Sequence, residues 1–488
     1  MPQPAVSAII RRGGSSGLPQ LALVLLVLLV PATALAQDAS TRVDELFRQW
    51  DTRTTPGAAV LVLHDGEPVH ARGYGMADLE HGVPIDTRSV FDIASVSKQF
   101  AALAIALLEA EGRISLDDDV RTYVPELHDF GDVITIRHLV HHTSGIRDWP
   151  GTLRIAGWDY QDVLSYDQIL RMAFAQRELN FAPGDDYAYS NTGYNLLAEI
   201  VRRVSGSSFR EFTEQRIFRP LGMRDTHFHD DHMMVVPRRA ESYGRTQDGT
   251  WRHVPNNLTA LGSSSLFSTV EDLGRWVANF STGDVGGAAL VARLHERGVL
   301  NRGDTIAYAF GQSVGSYRGL PMVSHTGSWA GYRTVLQRFP EHDFAVIILA
   351  NTSDMNPSQL ARQIADIYLG DVATPVPAAL QAPPSSDGSQ GAAGQPDRWE
   401  PSADELTQYA GTYTSTELMT SWLLELRDGR LVASHFRTGD STLQPIARDT
   451  FRGGVFGEVR FERDAAGRVT AFTANSDRVR RLRFFRQD

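Results

Sequence analysis

Of the 47 basic residues in this chain, 46 are arginine and one is lysine, Lys98. It closes Ser95-Val96-Ser97-Lys98, an S-x-x-K at the head of the apolar stretch FAALAIALLEAEG. That stretch reads as a helix ended by Gly112, and positions i and i+3 of a helix share a face. The spacing therefore lets the Ser95 hydroxyl meet the Lys98 amine. A serine is a poor nucleophile until a base takes its proton. Arginine does not give up a proton at working pH, whereas a desolvated lysine does. A helix N-terminus also favours an oxyanion beside Ser95. S-x-x-K recurs by chance in many chains; here it takes the only lysine, and that singles it out.

Two further groups suit the same chemistry. Tyr189-Ser190-Asn191 sits on a turn before a helix expected from about Thr192. A tyrosine beside a cationic amine can take the nucleophile's proton or hand one to a leaving group, and Asn191 offers both a donor and an acceptor. Read alone, the triplet fits a surface turn with Ser190 or Asn191 as helix N-cap better than a catalytic group. His325-Thr326-Gly327, followed by Ser328, ends a predicted strand. A glycine there lets a substrate backbone approach the strand edge. The backbone N–H after it pairs with that of Ser95 as an oxyanion hole. His325 then binds a substrate carboxylate or tunes the tyrosine; a lone strand histidine is otherwise a hydrogen-bonded structural residue.

These groups need a scaffold, and the patterning supplies one. Ser40–Trp50 reads as a short amphipathic helix. GAAVLVLH, the Asp65-Gly66 turn and Glu67–Tyr74 read as a hairpin. Residues 113–230 are helical patches broken by Gly and Pro, including 166–176, 192–205 and 209–218. From about 308, YAFGQSV, PMVSHTG, GYRTVLQRF and FAVIILAN read as strands, followed by a helix at 357–368. Helical material is thus bracketed by strands from both ends of one region. Residues 371–398 are rich in Pro, Ala, Gly and Ser and read as a linker. Residues 399–488 alternate as short strands with turn signals at Asp428-Gly429 and Ala466-Gly467, which predicts a small β-barrel or sandwich.

The ordered set S-x-x-K, Y-x-N and H-T-G resembles the signature of class C-type serine β-lactamases, low-molecular-weight D,D-peptidases and the related D-aminopeptidases and esterases. FDIASVSKQF, GRISLDDDVRTYVPEL, ITIRHLVHHTSGI, FAPGDDYAYSNTGYNLLAEIV, FRPLGMRDTHF, LFSTVEDLGRW and SHTGSWAGYRTVLQRFP are similar to that family too, over roughly 40–370. The resemblance implies an α+β fold, with an antiparallel sheet flanked by helices beside an all-helical lobe. It implies Ser95 as nucleophile, Lys98 as its activating partner and Tyr189 as general acid/base. It gives substrate binding to Asn191, His325, Thr326, Gly327 and Ser328, and the oxyanion hole to the backbone N–H groups of Ser95 and Ser328. The reaction implied is acyl transfer through a covalent acyl-enzyme, then hydrolysis. His325 stands where β-lactamases carry lysine. A neutral imidazole grips a carboxylate less firmly than a permanent cation, so the departure favours a peptidase, amidase or esterase over a β-lactamase proper. The C-terminal barrel resembles the lipocalin-like domains of some such enzymes, where it shapes or covers the cleft.

The remaining features set bounds. Arg11 and Arg12, the ten apolar residues Leu21–Val30 and the small pair Ala34 and Ala36 form a secretory signal pattern over 1–36. The apolar run is short of the roughly 20 residues a membrane span needs, so export to the periplasm or outside is expected, with membrane anchoring if the signal stays uncleaved. The mature domain boundaries are expected at 37–370, 371–398 and 399–488. The chain has no cysteine and a formal net charge of −11, which excludes disulfides, a thiol nucleophile and a general nucleic-acid binder. THFHDDH, with His227, His229 and His232, matches no metal-site spacing, and no cofactor or metal is expected. The expected partner is a small-molecule or peptide substrate. A binding protein on the same fold, its barrel capturing an apolar ligand, is the competing expectation.

Overall fold

The computed structural model describes residues 32–374 and 399–487. The expected signal segment lies outside them up to residue 31, and the expected linker lies outside them over 375–398. The first helix, Ala32–Phe47, begins ahead of the expected Ser40 and runs through the expected processing point. No helix among the described residues is long and apolar enough to cross a membrane.

Two apolar runs nucleate the main sheet. Ala58–His64 (AAVLVLH) and Phe344–Ala350 (FAVIILA) are almost wholly buried, as continuous apolar strands covered on both faces must be. They pair antiparallel from Ala58↔Ala350 to His64↔Phe344, joining the two ends of the region. The sheet runs Ser313–Tyr317, Leu320–Trp329, Tyr332–Phe339, Phe344–Ala350, Ala58–His64, Glu67–Tyr74, every neighbouring pair antiparallel. Asp65 (φ 52°) and Gly66 (φ 76°) close the expected hairpin, both in the left-handed region that a tight two-residue turn requires.

One sheet face packs on the first helix and on Pro357–Leu369, with Val43, Phe47, Val60, Val346 and Ile364 between them. The other faces the Val270–Thr282 helix and the helical lobe. The lobe is built round Lys98–Ala110, buried from Lys98 to Leu108, and Asn191–Ser205, buried from Thr192 to Val201. A helix buried on every side has to sit at the centre of its layer.

The C-terminal strands close an eight-stranded antiparallel barrel from Gly411–Ser415 to Leu482–Arg486. Closure removes the exposed sheet edges that a short meander would otherwise present. Its interior holds Tyr409, Tyr413, Trp422, Phe451, Phe456, Phe461, Phe472 and Phe484, all buried, with the Phe472 and Phe484 rings stacked at 4.8 Å.

Candidate active site

Ser95 does not begin the α-helix. It lies in a 3₁₀ turn, Ala94–Ser97, and the α-helix starts at Lys98. Ala94 has φ +48°, a strained conformation for a residue with a Cβ. Several bonds hold the turn: Ala94 N–H donates to the Asp92 carboxylate at 2.8 Å, Ile93 N–H to Leu266 O at 2.9 Å, and Thr334 Oγ1 to Ile93 O at 2.9 Å. Gly327 makes the approach possible. A Cβ there would lie 2.3 Å from Ile93 O, 2.2 Å from Thr334 Oγ1 and 3.1 Å from Ala94 Cβ. The glycine expected to admit a substrate backbone therefore admits the serine-bearing turn against the strand.

Lys98 is fully buried. Its Nζ donates to Ser95 Oγ at 3.2 Å, Asn191 Oδ1 at 2.7 Å and the Ser263 carbonyl at 2.7 Å. Asn191 Oδ1 and the Ser263 carbonyl only accept and so take two protons of the amine, which leaves its third position facing the Ser95 hydroxyl. Burial drives Lys98 well below the ordinary lysine range; the Asp148 carboxylate opposes this and the Arg478 guanidinium adds to it. Asn195 places the Ser263 carbonyl, holding its loop through Leu261 O at 2.8 Å and Ser263 Oγ at 3.1 Å.

Asn191 is the first residue of its helix, which Ser190 caps by accepting from Gly193 N–H at 3.2 Å. The capping expected of an ordinary turn and the polar role coexist, on adjacent residues. Asn191 gives its carbonyl oxygen to Lys98 and its amide and backbone N–H to Asp148 Oδ1, at 2.9 and 2.7 Å. This fixes the side-chain amide's orientation. Burial raises the Asp148 carboxyl, against the pull of Arg478 and of the two Asn191 donors.

Tyr189 packs its ring 4.8 Å from Lys98 Nζ and 4.9 Å from the Arg478 guanidinium carbon. Its hydroxyl is buried near Ser95 but makes no hydrogen bond of good geometry; burial raises its pKa well above the ordinary tyrosine range, and the proximity of the Ser95 hydroxyl acts the other way. A buried unpaired hydroxyl is costly, and a substrate heteroatom would satisfy it.

His325 lies within the Leu320–Trp329 strand rather than at its end. Its Nδ1 lies 2.7 Å from Thr326 O and its Nε2 3.0 Å from the Tyr308 hydroxyl. Because a carbonyl only accepts, Nδ1 carries the proton and Nε2 accepts from Tyr308. Burial, helped by the Lys98 charge, lowers its pKa to about 3. It is therefore a neutral ring with both nitrogens used. Gly327 is buried beside it, and Thr326 and Ser328 are exposed.

The cleft has a volume of about 810 Å³ and is lined by Ser95, Tyr189, Asn191, His325, Thr326 and Ser328 among others. Sequence reasoning missed Asp148, Tyr308, His142 and Arg478. His142 packs 4.3 Å from Tyr189 and 4.5 Å from Tyr308, and its Nδ1 accepts from Ser190 N–H at 3.1 Å. Its visible signal in the sequence is the His141-His142-Thr143-Ser144-Gly145 run. In THFHDDH, Asp230 pairs with Arg210, and His227 and His229 lie against Phe267.

Arg478 comes from the barrel. The loop between strands Val469–Asn475 and Leu482–Arg486 reaches the cleft rim and is pinned by its backbone. Arg478 O accepts from Asp148 N–H at 3.2 Å and from Asn180 Nδ2 at 3.0 Å. Arg147, buried, donates to Arg480 O, Arg481 O and the Glu417 carboxylate at 2.8, 2.9 and 2.5 Å.

Residues 43–371 match the family model described as Beta-lactamase. The chain is 30% identical over 336 residues to Penicillin-binding protein 4* of Bacillus subtilis (strain 168), covering 66% of this chain and 73% of that one. It is 27% identical over 306 residues to a D-aminopeptidase of Gluconobacter oxydans (strain 621H), covering 63% of this chain but only 57% of the relative's length. In fold it is similar to the octameric penicillin-binding protein homologue from Pyrococcus abyssi, with a TM-score of 0.60 at 21% identity over 93% of this chain and 100% of that one. It is also similar in fold to the D-amino acid amidase from Ochrobactrum anthropi SV3, with a TM-score of 0.59 at 21% identity over 69% of this chain and 100% of that one.

Proposed function

The chain belongs to the Beta-lactamase family, and we propose that it is an exported serine hydrolase that cleaves D-amino-acid peptides, amides or esters through an acyl-enzyme on Ser95. One observation carries this reading: the only lysine is buried with its amine 3.2 Å from the Ser95 hydroxyl and 2.7 Å from Asn191. Burying an ammonium is expensive, and the arrangement is the one that makes an amine available as a base.

In this reading Ser95 Oγ attacks the substrate carbonyl carbon. Its proton passes to the Lys98–Tyr189 pair, and negative charge gathers on the carbonyl oxygen between the Ser95 and Ser328 backbone N–H groups. Tyr189 then gives a proton to the leaving amine or alcohol, which departs and leaves the acyl group on Ser95. Water, deprotonated by the same pair, attacks the acyl carbon and frees Ser95. Asn191 orients Lys98 and donates to substrate. Thr326, Gly327 and Ser328 form the strand edge along which substrate lies, with neutral His325 beneath it. The relatives named D-aminopeptidase and D-amino acid amidase support the substrate class. The signal pattern over 1–36 supports export.

A fluorophosphonate probe or labelled penicillin is expected to add one acyl or phosphonyl group at Ser95 by intact mass, and Ser95→Ala is expected to take none. An adduct of equal yield in Ser95→Ala would remove the proposal. A panel of D-Ala-D-Ala peptides, D-aminoacyl anilides, short-chain nitrophenyl esters and nitrocefin then ranks the substrates.

A further inference from the structure

We infer that the chain carries a second binding site, a groove where the Val270–Thr282 helix packs on the sheet, and that it takes an aliphatic carboxylate whose head group sits on Arg338. The groove shares no lining residue with the serine cleft. The inference is independent of the Ser95 reading, and its test does not use turnover.

The first argument is a buried charge without a counter-ion. Arg338, in the Tyr332–Phe339 strand, is only 4% exposed. Its Nη2 donates to Gln312 Oε1 at 2.7 Å and to His295 Nε2 at 2.9 Å, and its Nε is buried without a partner. Its Nη1 has no hydrogen-bond partner among the described residues and stays open to the groove. The guanidinium carbon lies 3.4 Å from the centre of the Phe280 ring. All of these partners are neutral, since burial, helped by the Arg338 charge, lowers His295 to about 4. Among the described residues no carboxylate pairs with Arg338, and burial alone lowers its pKa to about 9. The buried Arg147, by contrast, has the Glu417 carboxylate at 2.5 Å. A ring face and two neutral acceptors offset only part of the cost of taking a guanidinium out of water. A carboxylate oxygen at Nη1 would supply both the missing acceptor and the missing charge.

The second argument is the groove that ends on this charge. It has a volume of about 730 Å³, and its walls include Leu61, Leu63, Pro68, Val277, Ala278 and Phe280. Pro68 and Ala278 are exposed, and Leu63, Val277 and Phe280 are half-buried, so hydrocarbon surface faces open space. Apolar walls leading to one cation complement a hydrocarbon chain ending in a carboxylate. The other charged groups of the groove are engaged or set apart. Arg275, its second guanidinium, is held by the buried Asp272 carboxylate at 2.6 Å. Glu271 accepts from Thr87 Oγ1 at 2.5 Å, and Asp343 is exposed after the Pro340–His342 turn. Neither acid contributes to the shift on Arg338.

Calorimetry on the full-length protein tests the site with decanoate, decan-1-ol and butyrate. Decanoate is expected to bind about 10- to 100-fold more tightly than the alcohol, the range of one charge-assisted contact. Butyrate, six methylenes shorter, is expected to bind at least about 100-fold more weakly than decanoate. Arg338→Met keeps most of the side chain's length and removes its charge. It is expected to bring the acid-to-alcohol ratio to about one, and to keep or raise the melting temperature of the unliganded protein, as removing an unanswered buried charge does. Arg275→Gln is expected to leave the ratio as it was. If Arg338→Met does not fold, Ala278→Trp probes the same groove from an exposed helix position. It is expected to weaken decanoate binding at least about tenfold with the melting temperature unchanged. No measurable binding of decanoate, equal affinities for acid and alcohol, or undiminished decanoate binding in Ala278→Trp would each overturn the site and leave the serine hydrolase standing. So would collapse of the ratio by Arg275→Gln in place of Arg338→Met. A lower melting temperature in Arg338→Met with the ratio unchanged would make Arg338 a packing residue and overturn the site as well.

Discussion

Lys98, Asp148, His142 and His325 are ionisable, buried and gathered in one cleft, whereas the barrel fills its interior with eight aromatic rings and pairs its charges near the surface. Arg463–Asp449, Arg483–Glu462 and Arg468–Asp464 are such pairs, each with one or both side chains open to water. The two regions use the same antiparallel strands for opposite ends. Burying ionisable groups lowers stability unless every donor and charge is answered, so a fold keeps them where something else needs them. Aromatic filling stabilises and does little else. The difference agrees with the cleft as the seat of the proposed chemistry, and the barrel's contribution to the cleft lining is the loop carrying Arg478. A packed interior also tells against the barrel as a cup for an apolar ligand.

The contrast breaks hardest at its one lysine. Lys98→Arg keeps a positive charge and removes the base, and kcat/KM is expected to fall by at least about a thousandfold. The mirror exchange in the barrel, Arg468→Lys at a side chain 79% exposed, is expected to change neither activity nor stability beyond about 0.5 kcal/mol. Wild-type turnover in Lys98→Arg would show that the buried amine is not the base. Tyr189→Phe comes next. It removes the unpaired hydroxyl and keeps the ring between the two cations, so kcat is expected to drop roughly 10²- to 10⁴-fold with little change in melting temperature. A fall in melting temperature with intact kcat would make Tyr189 a packing residue.

At the seam between the regions, Arg147 and Glu417 form a pair with side chains only 2% and 13% exposed. Burial lowers Arg147 from its ordinary value and raises Glu417, each opposed by the other's charge. Arg147→Ala strands the carboxylate and frees Arg480 O and Arg481 O, so about 3–5 kcal/mol of stability is expected to go. Chemical denaturation is expected to resolve an early transition for the barrel. A loss under about 1 kcal/mol would mean that the seam is wet and the loop loosely held.

How much of this was legible in the sequence follows the same divide. Ser95, Lys98 and Asn191 were readable because a helical spacing and a cap impose their neighbours locally. The hairpin at Asp65-Gly66 and the bracketing strands were readable because apolar runs and turn residues carry their own periodicity. The 3₁₀ turn at Ser95 was not, since it packs against Gly327 and Thr334, which meet Ile93 and Ala94 from two paired strands more than 200 residues further along. Asp148 carries no local signal, because its role comes from its burial against Asn191, 43 residues further along. Arg478 was one arginine among many in a region of balanced charge. Only the docking of a second domain, through bonds its own stretch of sequence does not announce, distinguishes it.

The smallest expected effect concerns pH and falls on His325. In the folded chain its pKa is about 3, lowered by burial first and by the Lys98 charge second, against an ordinary value of 6.5. Between those values the unfolded chain binds a proton at this position and the folded chain does not. The stability tied to the neutral ring is therefore fully present above about pH 6.5 and is lost as pH falls toward 3. The slope from this one group reaches at most about 1.4 kcal/mol per pH unit. His142, also lowered by burial, contributes in the same direction. His325→Asn cannot titrate, so its denaturation free energy is expected to be flatter than wild type over that window and parallel to it above pH 7. The barrel supplies the contrast: its only histidine, His435, is lowered less and hydrogen-bonds Thr420 at 2.9 Å, so His435→Asn is expected to flatten the curve less. If His325→Asn and wild type lost stability in parallel from pH 6.5 to 4, the imidazole would already carry a proton in the folded cleft. A second cation would then stand beside Lys98, and the neutral-ring account of His325 would fail.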